Sequence, residues 1–244
     1  MASQISLWKN RRVQLFDYFV SVKKEQVIEL HEKEGVSFSQ ILPICPTLPK
    51  GWFELAMLTI EDRKEFFSAY WKSCFSYQPM IPERIDHFFS SLEEIGIYLV
   101  RSSKEEFYEP HLCYHGKDEH LFIGHLPATL TQIMDAQKNF EGLIDPQFLN
   151  FCQIHNGMNK ISYGRIFALE KMALEVKRDR YTHSDLLSFY RSEKDENHYF
   201  ALSEEERIVY SQRSEEEQLV CLTDSWVSWL NLFLGSHDVQ YSND

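Results

Sequence analysis

Histidines crowd one short stretch of the chain: His111, His115, His120 and His125, with Cys113 between the first two. Imidazole nitrogens and thiolates are zinc ligands, and Asp118 and Glu119 add carboxylates close by. If 107–115 and 120–124 pair as a hairpin, some of these rings converge. His111, His115 and His120 are then the metal-ligand candidates, and a metal-dependent enzyme using the His111–His125 cluster is the alternative function. Two observations weigh against it. Strand alternation puts His111, Cys113 and His115 on one face, and no zinc-site spacing occurs. The chain also lacks GxSxG, HExxH, GxGxxG and P-loop patterns. No catalytic residue is assigned and no cofactor is expected.

A second group is acidic. Glu204, Glu205, Glu206, Glu215, Glu216 and Glu217 fall in the turns between short strands near the C-terminal end. Such clusters ordinarily face solvent. They could also steer a basic partner, because a dense negative patch speeds encounter and rejects wrong partners. The whole chain carries a net charge of −12. Residues 1–50 hold 7 Lys/Arg against 5 Asp/Glu, so the remainder is the acidic part. An acidic body repels phosphate backbones and anionic lipid, which argues against nucleic acid and membrane as partners and for a basic protein.

The 244 residues suffice for one large domain, or for one ordinary domain with an extension. With 43% apolar and 14% aromatic residues the chain can bury a core. Cys45, Cys74, Cys113, Cys152 and Cys221 are odd in number and far apart, which points to a reducing compartment. The N-terminus has no basic region followed by a long apolar stretch, and no apolar run nears the ~20 residues of a membrane span. A cytoplasmic protein is expected.

The elements that must position these groups read as follows. Residues 4–33 show helical spacing at Leu15, Phe19, Val22 and Leu30. Pro43, Pro46 and Pro49 impose a semi-rigid loop. Two amphipathic stripes follow, Phe67/Tyr70/Trp71/Cys74 and Ile85/Phe88/Phe89/Leu92, so residues 1–94 are expected to be a mainly helical N-terminal region. Residues 95–101, 107–115 and 120–124 read as strands. Pro127 opens a helix to about Phe140. A helix is expected over 145–155, another over 182–191 capped by Thr182 or Ser184, and a last one over 224–234 with Gly235 at its end. Short strands at 198–202, 207–212 and 218–223 precede that last helix. Elements do not alternate as a βαβ array would. The expectation is an α+β fold, an antiparallel or mixed sheet with helices on one side, over 95–244.

The most specific stretch is Ile144-Asp145-Pro146-Gln147-Phe148-Leu149-Asn150-Phe151-Cys152-Gln153-Ile154-His155-Asn156-Gly157. Asp145 can cap the helix, Pro146 suits its first position, and Asn156-Gly157 tolerates the left-handed backbone that ends it. This stretch resembles the core motif of the SUKH superfamily. Phe148 takes the aromatic place, Phe151-Cys152 the Phe-Leu place, and His155-Asn156-Gly157 matches directly; the proline falls one residue late and Cys152 replaces leucine. Asp224-Ser225-Trp226-Val227-Ser228-Trp229-Leu230 resembles the family's closing helix, and Val209-Tyr210 its Val-Tyr strand pair. The resemblance covers about 128–235. It implies a non-catalytic protein-binding module, as in the family's toxin-immunity and cell-wall or signalling regulators. Phe148, Phe151, Trp226 and Trp229 are expected in the core, not at a binding surface.

Overall fold

The computed structural model describes residues 18–22, 25–75, 81–117, 120–178, 183–202, 207–213, 219–223 and 225–235. The chain is α+β and its strands pair antiparallel. It divides into two compact units, each discontinuous in sequence: Met1–Phe67 with Ser91–Ile123, and Ser68–Ser90 with Gly124–Asp244. The boundary expected at 94/95 falls inside a strand.

In the first unit, β1 (Gln26–Glu29), β2 (Leu92–Arg101), β3 (Glu109–Gly116) and β4 (Leu121–Gly124, to Ile123 here) lie side by side in that order. Ile28 stands opposite Leu99, and Ile97 opposite Leu112. β2 and β3 are buried along nearly their whole length, so both faces are covered and the sequence shows an apolar run instead of alternation. Short helices surround them: α1 (Phe38–Ile41), α2 (Lys50–Ala56) and the start of α3 (Ile60–Cys74). The three prolines lie in the turns between α1 and α2, and Pro49 is the N-cap residue of α2.

The mainly helical reading of residues 1–94 fails at its start. Of the helix expected over 4–33, residues 4–17 and 23–24 lie outside the described residues. The rest is a single π turn at Tyr18–Val22, the strand β1 and a 3-10 turn at Leu30–Glu32. Val27 and Ile28 are β-branched, and ladder bonds to β2 outweigh the weak helical period.

The second unit holds the end of α3, α4 (Ile81–Ser91, to Ser90 here), α5 (Leu130–Asn139), α6 (Pro146–Cys152) and α7 (Trp226–Leu234). Its strands are β5 (Met158–Lys160), β6 (Gly164–Ile166), β7 (Ala173–Arg178), β8 (His183–Ser192), β9 (Glu196–Leu202), β10 (Arg207–Arg213) and β11 (Val220–Thr223). They run in the order β5-β6-β8-β9-β10-β11, with β7 paired to β8 beyond the end of β6. The expected helix over 182–191 is therefore wrong. Thr182 lies outside the described residues, and Ser184 is inside β8. Leu186 through Tyr190 are all buried, so this segment is a fully covered central strand. A short apolar run of that kind does not distinguish strand from helix by period.

One aromatic cluster forms this unit's core. Phe189 and Phe200, from β8 and β9, stack with ring centroids 4.2 Å apart. Phe148 of α6 and Trp226 of α7 both set their edges against those rings. Trp226 lies 4.8 Å from Phe148 and 5.0 Å from Trp229. Behind α6, Trp71 meets Phe88, Phe89 and Phe151. α7 is fixed at both ends. Ser225 Oγ accepts from the Ser228 amide, and the buried Lys160 donates to the carbonyls of Phe233 and Gly235 at 2.9 and 2.8 Å. A buried ammonium is tolerated there because a helix C-terminus presents unpaired carbonyls and partial negative charge.

Candidate functional site

The residues with the greatest chemical potential are built into the structure from the motif upward. Asp145 Oδ1 accepts from the Gln147 amide at 2.7 Å and Pro146 opens α6, as the spacing predicts. The helix delivers His155 into a closed niche, where its Nδ1 bonds the His125 carbonyl at 2.9 Å. Asn156 fastens the next turn: its Oδ1 accepts from the Leu169 amide and its amide donates to Glu170. Gly157 takes φ +98°, a left-handed value that favours glycine. This motif is an internal clamp.

Gly124 completes the niche. A Cβ placed there would stand 2.4 Å from the His155 ring. Gly124→Ala should therefore force His155 out of its rotamer and cost about 1–3 kcal/mol, the usual penalty of overpacking. Urea unfolding of the single variant and of Gly124→Ala/His155→Ala checks it. The second substitution should recover part of the loss, and strict additivity of the two would refute the contact.

Burial pushes His155 down to about 3, with the His125 carbonyl partly opposing the fall. Burial also holds His198 at about 3; its Nδ1 accepts from Trp229 Nε1 at 2.8 Å. His125 is lowered as well, by desolvation. Neutral imidazoles in the fold titrate near 6.5 once unfolded. Below that value the unfolded chain takes up protons that the fold refuses, so stability present above about pH 6.5 is lost as pH falls toward 3. The slope is up to about 1.4 kcal/mol per pH unit for each such histidine. Urea midpoints between about pH 7 and pH 5 should drop accordingly, a window in which ordinary carboxylates do not titrate. His198→Gln keeps an acceptor for Trp229 without titrating and should shallow the slope; an unchanged slope would refute the assignment.

Of the thiols, Cys45, Cys113 and Cys152 are buried, Cys74 is half-buried and Cys221 is exposed. Burial raises Cys113 and Cys152 well above the ordinary range and Cys45 to about 11. Cys74 is raised by burial too. A nucleophilic cysteine needs the opposite shift.

The first unit carries a buried charged cluster. His31, in the 3-10 turn after β1, directs Nε2 at Glu94 Oε1 of β2 at 2.9 Å and Nδ1 at the Ile97 carbonyl at 3.1 Å. Its ring lies over Gly96, where a Cβ would meet it at 2.5 Å. Arg63 of α3 is 4% exposed, and its Nε and Nη1 find no hydrogen-bond partner among the described residues. Desolvation lowers it, and the carboxylates of Glu94 and Glu32 act to raise it. His31, Glu32 and Glu94 bring one ligand atom each within 4.8 Å of one another, so they are the described residues that could hold a metal. The Arg63 guanidinium lies within electrostatic reach of the Glu94 and Glu32 carboxylates. A divalent ion would meet it as a like charge, and the arrangement suits an ion cluster that pins the 30–32 turn to β2.

The candidates from sequence fall elsewhere. His111, His115 and His120 are buried, with His111 stacked on Phe19 at 5.9 Å. They form no three-ligand group among the described residues. Glu204, Glu205, Glu206, Glu215, Glu216 and Glu217 lie outside the described residues, as do Asp118 and Glu119.

A surface feature escaped the sequence reading. Leu130 and Met134, one turn apart on α5, are 72% and 59% exposed. They are the two most exposed of the large apolar side chains described. Met134 also borders an open groove of about 490 Å³ where α5 turns into α6, whose other walls include Lys138, Glu141, Ile144, Pro146 and Leu149. The helix is fixed at its start. Thr129 and Gln132 form a complete capping box, and Ala136 is buried beneath.

No helix among the described residues is long and apolar enough to cross a membrane. No family model matches this chain, and no curated protein or solved structure matches it either.

Proposed function

We propose that this chain is a non-catalytic protein-binding module of SUKH-like kind, acting in the cytoplasm on a basic protein. A toxin to be neutralised, or a protein of cell-wall synthesis or signalling, is the kind of partner the resemblance suggests. The observation that carries the reading is the exposed Leu130/Met134 pair on one face of a capped helix. Adjacent apolar side chains displayed on one helix face would suit a surface that another protein covers. The net charge of −12 supports a basic partner, and the free thiols support a reducing compartment.

The test places a photo-crosslinking amino acid at position 130 in the native cell. One partner captured in stoichiometric amount, and lost with Met134→Asp, is the expected result. No adduct at 130 beyond that of a probe at exposed Glu54 would refute the reading.

A further inference from the structure

Both ring nitrogens of His31 face acceptors, and its side chain is fully buried. The Ile97 carbonyl, 3.1 Å from Nδ1, can only accept, so Nδ1 carries a proton. Nε2 stands 2.9 Å from Glu94 Oε1, and that bond needs a proton as well. A neutral imidazole has a single N–H and an ionised carboxylate has no donor, so the pair holds one proton more than those two forms supply. We infer that His31 is an imidazolium in the fold and that its extra proton latches the 30–32 turn to β2, a latch that base opens.

The surroundings decide which partner carries the proton. Burial lowers Arg63, and of the carboxylates that oppose this fall Glu94 acts most strongly, ahead of Glu32. A protonated Glu94 would withdraw that support from a guanidinium whose Nε and Nη1 have no hydrogen-bond partner among the described residues. With the proton on His31, two cations, His31 and Arg63, face two anions, Glu94 and Glu32. The other titratable groups around the ring come from β2, β3 and α2. Tyr98 of β2 sets its ring 5.0 Å from that of His31. His115 and Cys113 of β3 stand opposite Glu94 and Gly96 in register, and burial pushes the Cys113 thiol well up, so it adds no charge. Lys50 and Glu54 of α2 are exposed and paired with each other at 3.4 Å. Loss of the extra proton turns one ring nitrogen into a lone pair aimed at an acceptor oxygen, and the turn gives up one of its two side-chain anchors on β2. The imidazolium also has no lone pair to offer a metal ion.

The test is ring-nitrogen NMR of the full chain, isotope-labelled in its histidines, at about pH 7.5, where an ordinary imidazole is neutral. His31→Gln assigns the signals. His31 should show both ring nitrogens protonated. Glu94→Gln, which keeps the shape and can donate to Nε2, should return His31 to one protonated and one bare nitrogen. Hydrogen exchange reads the latch. The Lys33 amide donates to the Leu30 carbonyl at 3.1 Å and closes the turn. Its protection, relative to the unfolded chain, should fall roughly tenfold or more between about pH 7 and about pH 9, the loss of one charge-assisted hydrogen bond. In Glu94→Gln it should stay flat over that range. A bare nitrogen on wild-type His31 at about pH 7.5, an imidazolium that persists in Glu94→Gln, or wild-type protection that ignores pH would each overturn the inference.

Discussion

Trp226→Ala should lower the free energy of unfolding by about 3–5 kcal/mol, the usual cost of deleting a large buried aromatic. The position justifies the upper half of that range. The indole is fully buried and touches Phe148, Phe151, Phe189, Phe200 and Trp229 at centroid distances of 4.8 to 5.9 Å. These rings come from two helices and two central strands that cannot all collapse into one void. Edge-to-face pairs add about 0.5–1.5 kcal/mol each beyond area burial. Urea denaturation followed by near-ultraviolet circular dichroism measures the loss. Trp226→Phe, which keeps most of the volume, should cost well under half as much. Equal losses for the two would show that packing is not the cause.

The second large effect is expected at Glu94. Glu94→Ala strips His31 of its partner and leaves Arg63 buried with less opposing charge. Removing one partner of a buried hydrogen bond costs about 1–3 kcal/mol, and more where a charged group is left behind, because that group keeps its desolvation penalty. Replacing the charges together by apolar groups of similar volume is often neutral. Glu94→Leu/Arg63→Met should therefore be more stable than Glu94→Ala alone. Thermal and urea unfolding of the three chains decide it. A Glu94→Ala chain within 1 kcal/mol of wild type would mean that the cluster contributes little. Added zinc should not stabilise the wild type, since Arg63 occupies the electrostatic role of a cation here.

Local chemistry made part of this legible. The caps of α6 follow from Asp145-Pro146, and the buried stripe of α7 follows from Trp226, Trp229, Leu230 and Phe233. β2, β3 and β4 lie where 95–101, 107–115 and 120–124 read as strands, because β-branched and aromatic runs end in turn residues there. β1 was hidden because its partner is far along the chain, and β8 because a strand covered on both faces has no alternation. The ion cluster was invisible for the same reason as β1: His31 and Glu94 are separated by 63 positions and meet only after β1 pairs with β2. The groove was hidden differently. Leu130 and Met134 look in sequence like the core face of an ordinary amphipathic helix, and only the surface shows that nothing described lies over them.

The discontinuity of the two units sets an order of events during synthesis. The first unit needs Ser91–Ile123 to complete its sheet, so β1 leaves the ribosome well before β2 arrives to pair with it. Ser68–Ser90, meanwhile, emerges early and must wait for Gly124 and beyond, since Trp71 meets Phe151 and His155 only then. Neither half can be expressed as a simple fragment, because each single cut strands one unit's segment with the other. Domains that fold as vectorial units escape this delay. Here the apolar stripe of Trp71, Phe88 and Phe89 lacks its Phe151 partner through the interval, so slowed elongation before position 151 is expected to favour aggregation.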